Sequence, residues 1–553
     1  MTVPALKKLG GVRTFARRDL FRTGGILTAF GLVGGRTATA LARSTEAGSA
    51  APPSAGIYES IGVKPVINCR GVNTYISGST TLPEVKRAMD EAGRQFVDIN
   101  ELANGIGKRL GELTGAEWGA VTAGCCAAMT HATSACIAGT DPEKLQRLPD
   151  LRGLKDEVII PRHSRNVYDH AIRMLGVRIL EPGTRDEYET AFSPKTALVY
   201  VNSSNRNGVE FDVLTAIARE RGVPVLVDAA AERLTVPNDY LRRGATMVCY
   251  SGGKLFRGPQ CSGLLIGPKH LVRAAWYNGA PHHSFGRSMK VGKEEMMGLL
   301  TAVEMWLKRD HEGERRQMQG WVDHIAARVG KVAGVTADSS APPEGGNPTP
   351  RLQISWERAR FDLTSRDVYQ LLLDGEPRIA TAPQVGARDG QPESIRLTPI
   401  MMAPGEEKLV ADRLYAIFSK PPRIQRLTST EPTAQIAGQW ALTLEFVSGK
   451  ADHTLVIEQE GTEIRGTHKG AFLTGDLRGY VDGHLIRFRS SHKYEGSYVN
   501  YDFSGTFENG RLHGQVEDMS TIDPGEFGEA TWSAERYRYT DPRGVIVRPL
   551  KTD

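Results

Sequence analysis

Between about residues 58 and 420, short apolar runs alternate with segments in which apolar residues recur every three or four positions. The short runs predict strands at 158–160, 197–201, 223–227, 246–250 and 263–266. The segments between them predict helices at 84–96, 126–138, 165–175 and 212–221. Such alternation favours βαβ units, and therefore an α/β domain in which helices cover both faces of a mostly parallel sheet.

After this domain the pattern predicts a smaller α+β unit. Residues 294–308 have the periodicity of a long amphipathic helix that leads out of the large domain. Two further runs, 351–356 and 394–397, predict strands.

The texture changes beyond a segment rich in proline and threonine at 421–434. There, apolar and polar residues alternate with a period of two, as in Leu442, Leu444 and Phe446. Turn dipeptides such as Glu460-Gly461 and Asn509-Gly510 separate the alternating runs. This pattern predicts an antiparallel β-domain, either a barrel or a sandwich.

The N-terminus has the features of an export signal. Arg17-Arg18 precedes an uncharged stretch, 24–35, and Ala40-Leu41-Ala42 fits a signal-peptidase site. We therefore predict twin-arginine export to the periplasm or the exterior; an amphipathic helix and a mitochondrial presequence are the alternatives. No later stretch is apolar for long enough to predict a membrane span.

These patterns divide the chain into seven predicted parts. In order, they are a twin-arginine signal at 1–42, a linker at 43–57, a large domain at 58–300, a small α+β domain at 301–420, a linker at 421–434, a β-barrel or sandwich domain at 435–538 and a tail at 539–553.

Charge and the positions of cysteine and histidine bear on which ligands the protein binds and on where it folds. The net charge of +5 is concentrated in residues 1–42, which carry +6 and leave about −1 for the rest of the chain. The predicted mature chain therefore lacks the basic surface that nucleic acids require. All six cysteines lie between residues 69 and 261, which is consistent with folding in a reducing compartment before export. His282-His283 has no partner at metal-ligand spacing, so no metal site is expected.

An acidic residue and a lysine follow successive predicted strands. Asp228 directly follows the run at 223–227. The next run, 246–250, is followed by the glycine-rich turn Ser251-Gly252-Gly253, and Lys254 comes directly after this turn. Pyridoxal phosphate requires this pair: a lysine for the Schiff base and a carboxylate that keeps the ring nitrogen protonated. A surface lysine after two glycines is the alternative interpretation.

Other residues near predicted strand ends fit the same cofactor. Gly124-Cys125-Cys126 opens a helix whose N-terminus is suited to a phosphate. Ser251 is placed to donate to the phosphate, and His163 is placed to stack on the ring. Ser204 follows the run at 197–201, at the edge of the sheet where substrates bind in doubly wound folds.

Several ordered motifs together carry a family resemblance. They are Ile67-Asn68-Cys69-Arg70-Gly71, Phe96-Val97-Asp98, Val227-Asp228-Ala229-Ala230-Ala231-Glu232, Ser251-Gly252-Gly253-Lys254, Gly286-Arg287-Ser288-Met289-Lys290 and Glu376-Pro377-Arg378-Ile379. Over about residues 58–420 the chain resembles the selenocysteine-synthase-like enzymes, which include L-seryl-tRNA(Sec) selenium transferase and D-glucosaminate-6-phosphate ammonia-lyase. These are fold-type I pyridoxal-phosphate enzymes.

The resemblance assigns expected roles to the matching residues. Lys254 is the expected Schiff-base lysine, and Asp228 is the expected partner of the pyridine nitrogen. The expected cofactor contacts also include Gly124, Cys125, Cys126, Ser251, His163 and Ala230. Substrate contacts are expected from Arg396, which would clamp a carboxylate, and from Arg287, Lys290 and Ser204. The resemblance also implies at least a homodimer.

Three classes of function remain open from the sequence. An α,β-elimination on an amino acid or amino sugar acid is favoured by the ammonia-lyase resemblance, although transamination, racemisation and aldol cleavage use the same core residues. Selenium transfer on seryl-tRNA is disfavoured by the predicted export and by the charge. A non-catalytic protein that binds its ligand through the β-domain is the third class.

Overall fold

The structure, a computed structural model, describes residues 56–203, 209–340, 347, 349–383, 392–424, 432, 434–446, 449–518, 529–540 and 546–547. The predicted signal at 1–42 and nearly all of the linker after it lie outside these residues. Residues 56–63 belong to a separate compact unit from residues 64–553, and they contain one 3-10 turn, Glu59–Ile61.

The second unit begins with the short strand β1 (Ile67–Asn68) and continues into a seven-stranded sheet. The strands of this sheet are β2 (Trp118–Thr122), β3 (Glu157–Ile159), β4 (Arg178–Leu180), β5 (Thr196–Asn202), β6 (Val225–Asp228), β7 (Met247–Ser251) and β8 (Gly263–Gly267). Their order is β2-β8-β7-β6-β5-β3-β4, and β8 runs antiparallel to both of its neighbours. The pairs from β7 through β4 are parallel, as the alternating pattern predicts.

Helices cover both faces of this sheet. They are α1 (Pro83–Gly93), α2 (Ile99–Thr114), α3 (Cys125–Ala138), α4 (Pro142–Arg147), α5 (His170–Arg173), α6 (Arg185–Thr190), α7 (Phe211–Glu220), α8 (Asp239–Arg242), α9 (Lys269–Tyr277) and α10 (Lys293–Lys308). Successive strand residues point to opposite faces, so Val199 and Val227 pack with α7 and α10, whereas Leu198 and Leu226 pack with α3 and α9.

The helix predicted at 165–175 forms only in part. Arg165 is extended, a 3-10 turn covers Val167–Asp169, and α5 ends at Arg173. The reason is local, because the Asn166 side chain accepts a hydrogen bond from the Tyr168 amide at 2.7 Å and turns the backbone away from α-helical geometry.

The small domain combines helices with an antiparallel sheet of order β12-β13-β10-β9. Its elements are α11 (His311–Val329), β9 (Val335–Ser340), β10 (Arg351–Trp356), α12 (Arg358–Phe361), α13 (Ser365–Leu373), β11 (Ile379–Ala380), β12 (Ala382–Pro383), β13 (Glu393–Leu397) and α14 (Glu406–Ser419). Strand β1 pairs in parallel with β11, so the segment that precedes the large domain is part of the small one.

The C-terminal strands form a closed antiparallel barrel, the first of the two predicted alternatives. Its strands are β14 (Gly438–Phe446), β15 (Gly449–Glu460), β16 (Glu463–Lys469), β17 (Thr474–Asp482), β18 (Leu485–Tyr494), β19 (Ser497–Glu508), β20 (Arg511–Asp518) and β21 (Glu529–Arg536). Each strand pairs with the next along the chain, and β14 pairs with β21 to close the cylinder. A two-stranded ribbon, β22 (Tyr539–Thr540) with β23 (Ile546–Val547), follows. The predicted fold class is therefore confirmed.

One part of the barrel interior is polar. A chain of hydrogen bonds joins His453 Nδ1 to His468 Nε2 at 2.8 Å, His468 Nδ1 to the Ser490 hydroxyl at 2.6 Å, and that hydroxyl to His492 Nε2 at 3.3 Å. We call these four residues the histidine chain. Burial and, to a smaller extent, the neighbouring rings of His492 and His453 lower the pKa of His468 to about 3, so the ring is neutral in the folded protein.

No helix among the described residues is both long and apolar enough to cross a membrane.

Candidate active site

The predicted chemistry lies at the carboxyl edge of the large sheet. Asp228 is the last residue of β6, Ser251 is the last residue of the adjacent β7, and Lys254 follows three residues later. The Ser251 amide donates to the Ala230 carbonyl at 3.2 Å, which ties together the two segments that leave these strands. Ligands of open α/β sheets bind at this edge because loops from neighbouring strands meet there.

Asp228 is a buried carboxylate held by directed hydrogen bonds. Its Oδ2 accepts from the Tyr200 hydroxyl at 2.9 Å, and its Oδ1 accepts from the Ala230 amide at 3.0 Å. Burial and the adjacent carboxylate raise the pKa of Tyr200 well above its usual value, so its hydroxyl stays protonated and able to donate. The carboxylate is thereby fixed in one orientation.

Helix α3 begins beside this carboxylate. Gly124, its N-cap, has φ +89° and no side chain that caps the first amides. Gly263 on β8 comes so close that an added Cβ would lie 2.4 Å from the Gly124 carbonyl carbon and 2.8 Å from the Cys125 amide nitrogen. The first turn of this 14-residue helix therefore offers backbone N–H groups to an anion, in a place that only small residues can form.

The loop that carries Lys254 is tightly packed. A Cβ on Gly252 would lie 2.0 Å from Ser262 Oγ, and one on Gly253 would lie 2.2 Å from Gln260 Oε1. The Cβ on Gly253 would also lie 2.6 Å from Gln260 Cα, a backbone atom, so this position has no room for a side chain. Lys254 is half-buried, and its Nζ lies 5.8 Å from the centre of the Tyr168 ring.

Two thiols border the carboxylate. Cys125 Sγ lies 3.5 Å from Asp228 Oδ1 and 3.4 Å from Cys249 Sγ. Among the described residues, these three form the one His/Cys/Asp/Glu group whose donor atoms lie close enough to share a metal ion. The hydrogen bond that Cys125 donates to Cys249, together with burial, raises the pKa of Cys125 well above its usual value, so this thiol is protonated, whereas a metal ligand must be a thiolate. The set is better suited to neutral thiols facing a carboxylate.

His163 and Cys126 are the other described residues that the sequence predicts to contact the cofactor. His163 is half-buried in the 3-10 turn Arg162–Ser164 after β3, and burial lowers the pKa of its ring. Cys126, the second residue of α3, is exposed. Ser204 lies outside the described residues.

The predicted substrate contacts that the structure describes lie on β13 and on the loop between α9 and α10. Arg396 lies on β13, and partial burial, followed by the positive charges of Arg351 and Arg70, lowers its pKa. Arg287 is exposed on a loop that folds over His131, because a Cβ on Gly286 would lie 2.4 Å from the His131 ring. We call Arg70, Arg351 and Arg396 the arginine cluster.

The sequence did not reveal every residue around the carboxylate. Tyr200 lies within the apolar run 197–201 that predicts a strand, and Asn166 lies in the segment 165–175 that predicts a helix. Neither has a local signal, since a tyrosine in a buried strand is usually a packing residue.

The described residues fit the cofactor expected from the sequence. A buried carboxylate has its orientation fixed beside an uncapped helix N-terminus, and a half-buried lysine follows the neighbouring strand. Pyridoxal phosphate requires an acid for its ring nitrogen, N–H donors for its phosphate and an amine for its aldehyde.

Comparisons with known proteins match this arrangement. Residues 171–289 match the Aminotransferase class-V family. The chain is similar to D-glucosaminate-6-phosphate ammonia lyase of Salmonella typhimurium, with 32% identity over 374 residues that cover 65% of this chain and 97% of that protein. It is also similar to 5'-C-glycyluridine monooxygenase-decarboxylase of a Streptomyces species, with 34% identity over 338 residues that cover 58% of this chain and 78% of that protein. A solved structure of D-glucosaminate-6-phosphate ammonia-lyase superposes with a TM-score of 0.57 at 30% identity, covering 66% of this chain and 99% of the other.

Proposed function

Because the chain belongs to the fold-type I family of pyridoxal-phosphate enzymes that includes D-glucosaminate-6-phosphate ammonia lyase and L-seryl-tRNA(Sec) selenium transferase, we propose that it catalyses an α,β-elimination of the ammonia-lyase type. Its substrate would be an amino acid or an amino sugar acid. The resemblance, the enzyme class and the cofactor predicted from the sequence are confirmed by these matches. The reaction and the roles of individual residues are proposals that rest on the site.

The observation that carries the proposal is the environment of Asp228. Asp228 is buried and accepts hydrogen bonds from the Tyr200 hydroxyl and the Ala230 amide, with the Cys125 thiol also within hydrogen-bond distance. Among the described residues no cationic side chain pairs with it, so it is suited to a cationic ligand group. The protonated ring nitrogen of the cofactor is such a group, and Asp228 would hold the proton there. When bound, pyridoxal phosphate supplies an electron sink for the pair released at the substrate α-carbon.

Lys254 has two tasks in this proposal. Its amine would hold the aldehyde carbon of the cofactor until a substrate amine displaces it. The freed amine would then take the proton from the substrate α-carbon. Lys254 is suited to this role because it follows β7, the strand beside the one that ends at Asp228. The amides at the start of α3 would hold the phosphate.

The arginine cluster indicates an acidic substrate. Three guanidinium groups whose charges repel one another are stabilised by an anion, and a carboxylate can bind one of them through two parallel hydrogen bonds. The overall reaction would remove water or another β-substituent from the α- and β-carbons, and hydrolysis would then release ammonia and a 2-oxo acid.

The test uses residues 43–553 purified with pyridoxal phosphate, together with Lys254→Ala and the exposed-lysine control Lys269→Ala. The parent and the control should show a visible absorption band, and borohydride should fix the cofactor to Lys254, as identified by peptide mass. Amino acids and amino sugar acids would be screened for ammonia and 2-oxo acid, with a loss of roughly a thousandfold in Lys254→Ala. A parent that stays colourless with excess cofactor would refute the proposal.

Oxygen-dependent decarboxylation is the second candidate, and it is favoured by the similarity to the Streptomyces monooxygenase-decarboxylase. The same screen separates the two reactions if oxygen uptake and carbon dioxide are recorded beside ammonia. Elimination requires no oxygen.

We also propose that residues 1–42 direct twin-arginine export of the folded enzyme. The support is the order of Arg17-Arg18, the uncharged run and Ala40-Leu41-Ala42. Changing both arginines to lysine should retain the protein in the cytoplasm, and unchanged export would contradict the proposal.

The enzyme is further proposed to be at least a homodimer, as the family resemblance implies. Light scattering of the holoenzyme would give the mass directly, and a mass equal to one chain would contradict it.

A further inference from the structure

The barrel has no role in the function proposed so far, yet one of its hairpins contacts the catalytic domain. Strands β18 and β19 are joined by a two-residue turn, Glu495-Gly496, between the paired residues Tyr494 and Ser497. Glu495 has φ +51°, a left-handed conformation that strains an L-residue and that glycine or asparagine usually adopts in hairpin turns. We call residues 494–497 the docking hairpin.

Glu495 joins a largely buried network of charges in the catalytic domain. Its Oε2 lies 2.6 Å from Arg165 Nη2, and Arg165 Nε lies 2.6 Å from Asp169 Oδ2. Asp169 also pairs with Arg173 at 2.8 Å, and Arg165 also pairs with Glu181. The Arg165 side chain is 5% exposed and that of Asp169 is fully buried, so this is a built contact rather than a meeting of two solvated surfaces.

The backbone of the hairpin packs directly on the backbone of Asn166. A Cβ on Gly496 would lie 2.6 Å from the Asn166 amide nitrogen, 2.7 Å from its carbonyl oxygen and 2.9 Å from Asp169 Oδ2. No side chain fits at this position without a shift of the main chain. The docking hairpin therefore leaves the Asn166 backbone no room to move toward the barrel.

Asn166 is connected to the carboxylate of Asp228 by two successive hydrogen bonds through the Tyr200 hydroxyl. The Oδ1 of Asn166 accepts from the Tyr168 amide at 2.7 Å, so its Nδ2 faces Tyr200 and donates to that hydroxyl at 3.1 Å. Because an amide N–H can only donate, the Tyr200 oxygen accepts, and its own proton points to Asp228 at 2.9 Å. The direction of the whole hydrogen-bond chain is set at Asn166.

We propose that the barrel is a working part of the active site, in which the docking hairpin is a positioning element that holds Asn166 and thereby aims the Tyr200 hydroxyl at Asp228. This inference rests on the proposed function, since Asp228 is the residue that would hold the proton on the cofactor ring.

The test compares Gly496→Ala with Gly461→Ala in the full-length holoenzyme. Gly461 lies in another hairpin of the same barrel at φ +57° with open space around its Cα, so its substitution strains the barrel without touching the catalytic domain. We expect Gly496→Ala to weaken cofactor binding about tenfold and to move the pH midpoint of the cofactor's visible band. Gly461→Ala should do neither, although both variants lose thermal stability.

Two further measurements separate positioning from a general loss of folding. Glu495→Gln keeps the turn and removes the ion pair, so it should shift the pH midpoint in the same direction by a smaller amount. In a double-mutant cycle, Gly496→Ala should have little additional effect once Tyr200→Phe has removed the hydroxyl that it acts through. Independent, additive effects would overturn the inference.

The possible outcomes are distinct. A parent that binds no pyridoxal phosphate refutes the proposed function and this inference with it. A parent that binds the cofactor while Gly496→Ala and Gly461→Ala behave alike refutes the inference alone.

Discussion

Replacing Gly263 with alanine tests the proposed phosphate site directly. Gly263 lies on β8, and a side chain there would press on the backbone at the start of α3, whose amides would hold the phosphate. The added Cβ would lie 2.4 Å from the Gly124 carbonyl carbon, 2.5 Å from its oxygen and 2.8 Å from the Cys125 amide nitrogen. All three are backbone atoms, so no side-chain rotation relieves the contact. Either β8 or the start of α3 must move.

The size of the effect follows from these distances. Ordinary contact begins at 3.4 Å, so the backbone must shift by about 1 Å at the closest atom. Overpacking of this kind costs about 1–3 kcal/mol of unfolding free energy. Since hydrogen bonds to a charged group are worth about 1.5–3 kcal/mol, misplacing one amide of the phosphate site should raise the Kd for pyridoxal phosphate about tenfold to a hundredfold.

The assay has two parts, denaturant unfolding of the apo-protein and titration with pyridoxal phosphate. The matched control is Gly320→Ala in α11, where an added Cβ meets nothing within 4 Å and should stabilise the helix by about 0.5–1 kcal/mol without changing the Kd. If Gly263→Ala binds the cofactor as tightly as the parent, the start of α3 is not the phosphate site.

Two other predictions concern charge. Asp228→Asn keeps the shape of the side chain and removes its charge, so the variant should still fold and still be fixed to pyridoxal phosphate by borohydride, while kcat/KM falls at least about a hundredfold; unchanged kcat/KM would exclude Asp228 as the partner of the ring nitrogen. The pKa of His468, lowered by burial to about 3, lies below its unfolded value of about 6.5. Between these two pH values the imidazole ring therefore binds a proton in the unfolded chain but stays neutral in the folded barrel. The stability of the barrel should therefore be full above pH 6.5 and fall by about 1.4 kcal/mol per pH unit between pH 6.5 and about 3. Denaturant unfolding at pH 7, 6 and 5 measures this slope, which should be shallower in His468→Gln; a flat profile in the parent would contradict it.

The elements that depend on local pattern were predictable from the sequence. Each predicted strand of the large sheet forms within two residues of its expected position, because a buried strand is recognisable from its own apolar residues. In the barrel, Glu460-Gly461 and Asn509-Gly510 mark turns that the structure contains. The choice between barrel and sandwich was not predictable, since it depends on the pairing of β14 with β21, about ninety residues apart.

The residues of the candidate site also fall into those that the sequence predicts and those that it does not. Asp228 and Lys254 stand at strand ends and are visible in the sequence, whereas Tyr200 looks like any residue of a buried strand. The contact between Arg165 and Glu495 joins residues 330 positions apart, on domains with different patterns. Only the three-dimensional structure brings such residues together.

The parallel pairing of β1 with β11 has a consequence for the order in which this protein is made. Ile67 pairs with Ile379, so a segment that leaves the ribosome early waits for a partner about 310 residues behind it. At about 5–20 residues per second, that wait is roughly 15–60 s. During synthesis the first strand of the small domain must therefore remain unpaired while the whole large domain is made. A nascent chain that stops before residue 380 cannot complete the small domain, which makes this pairing a late event of biogenesis even though it involves the first strand in the described part of the chain.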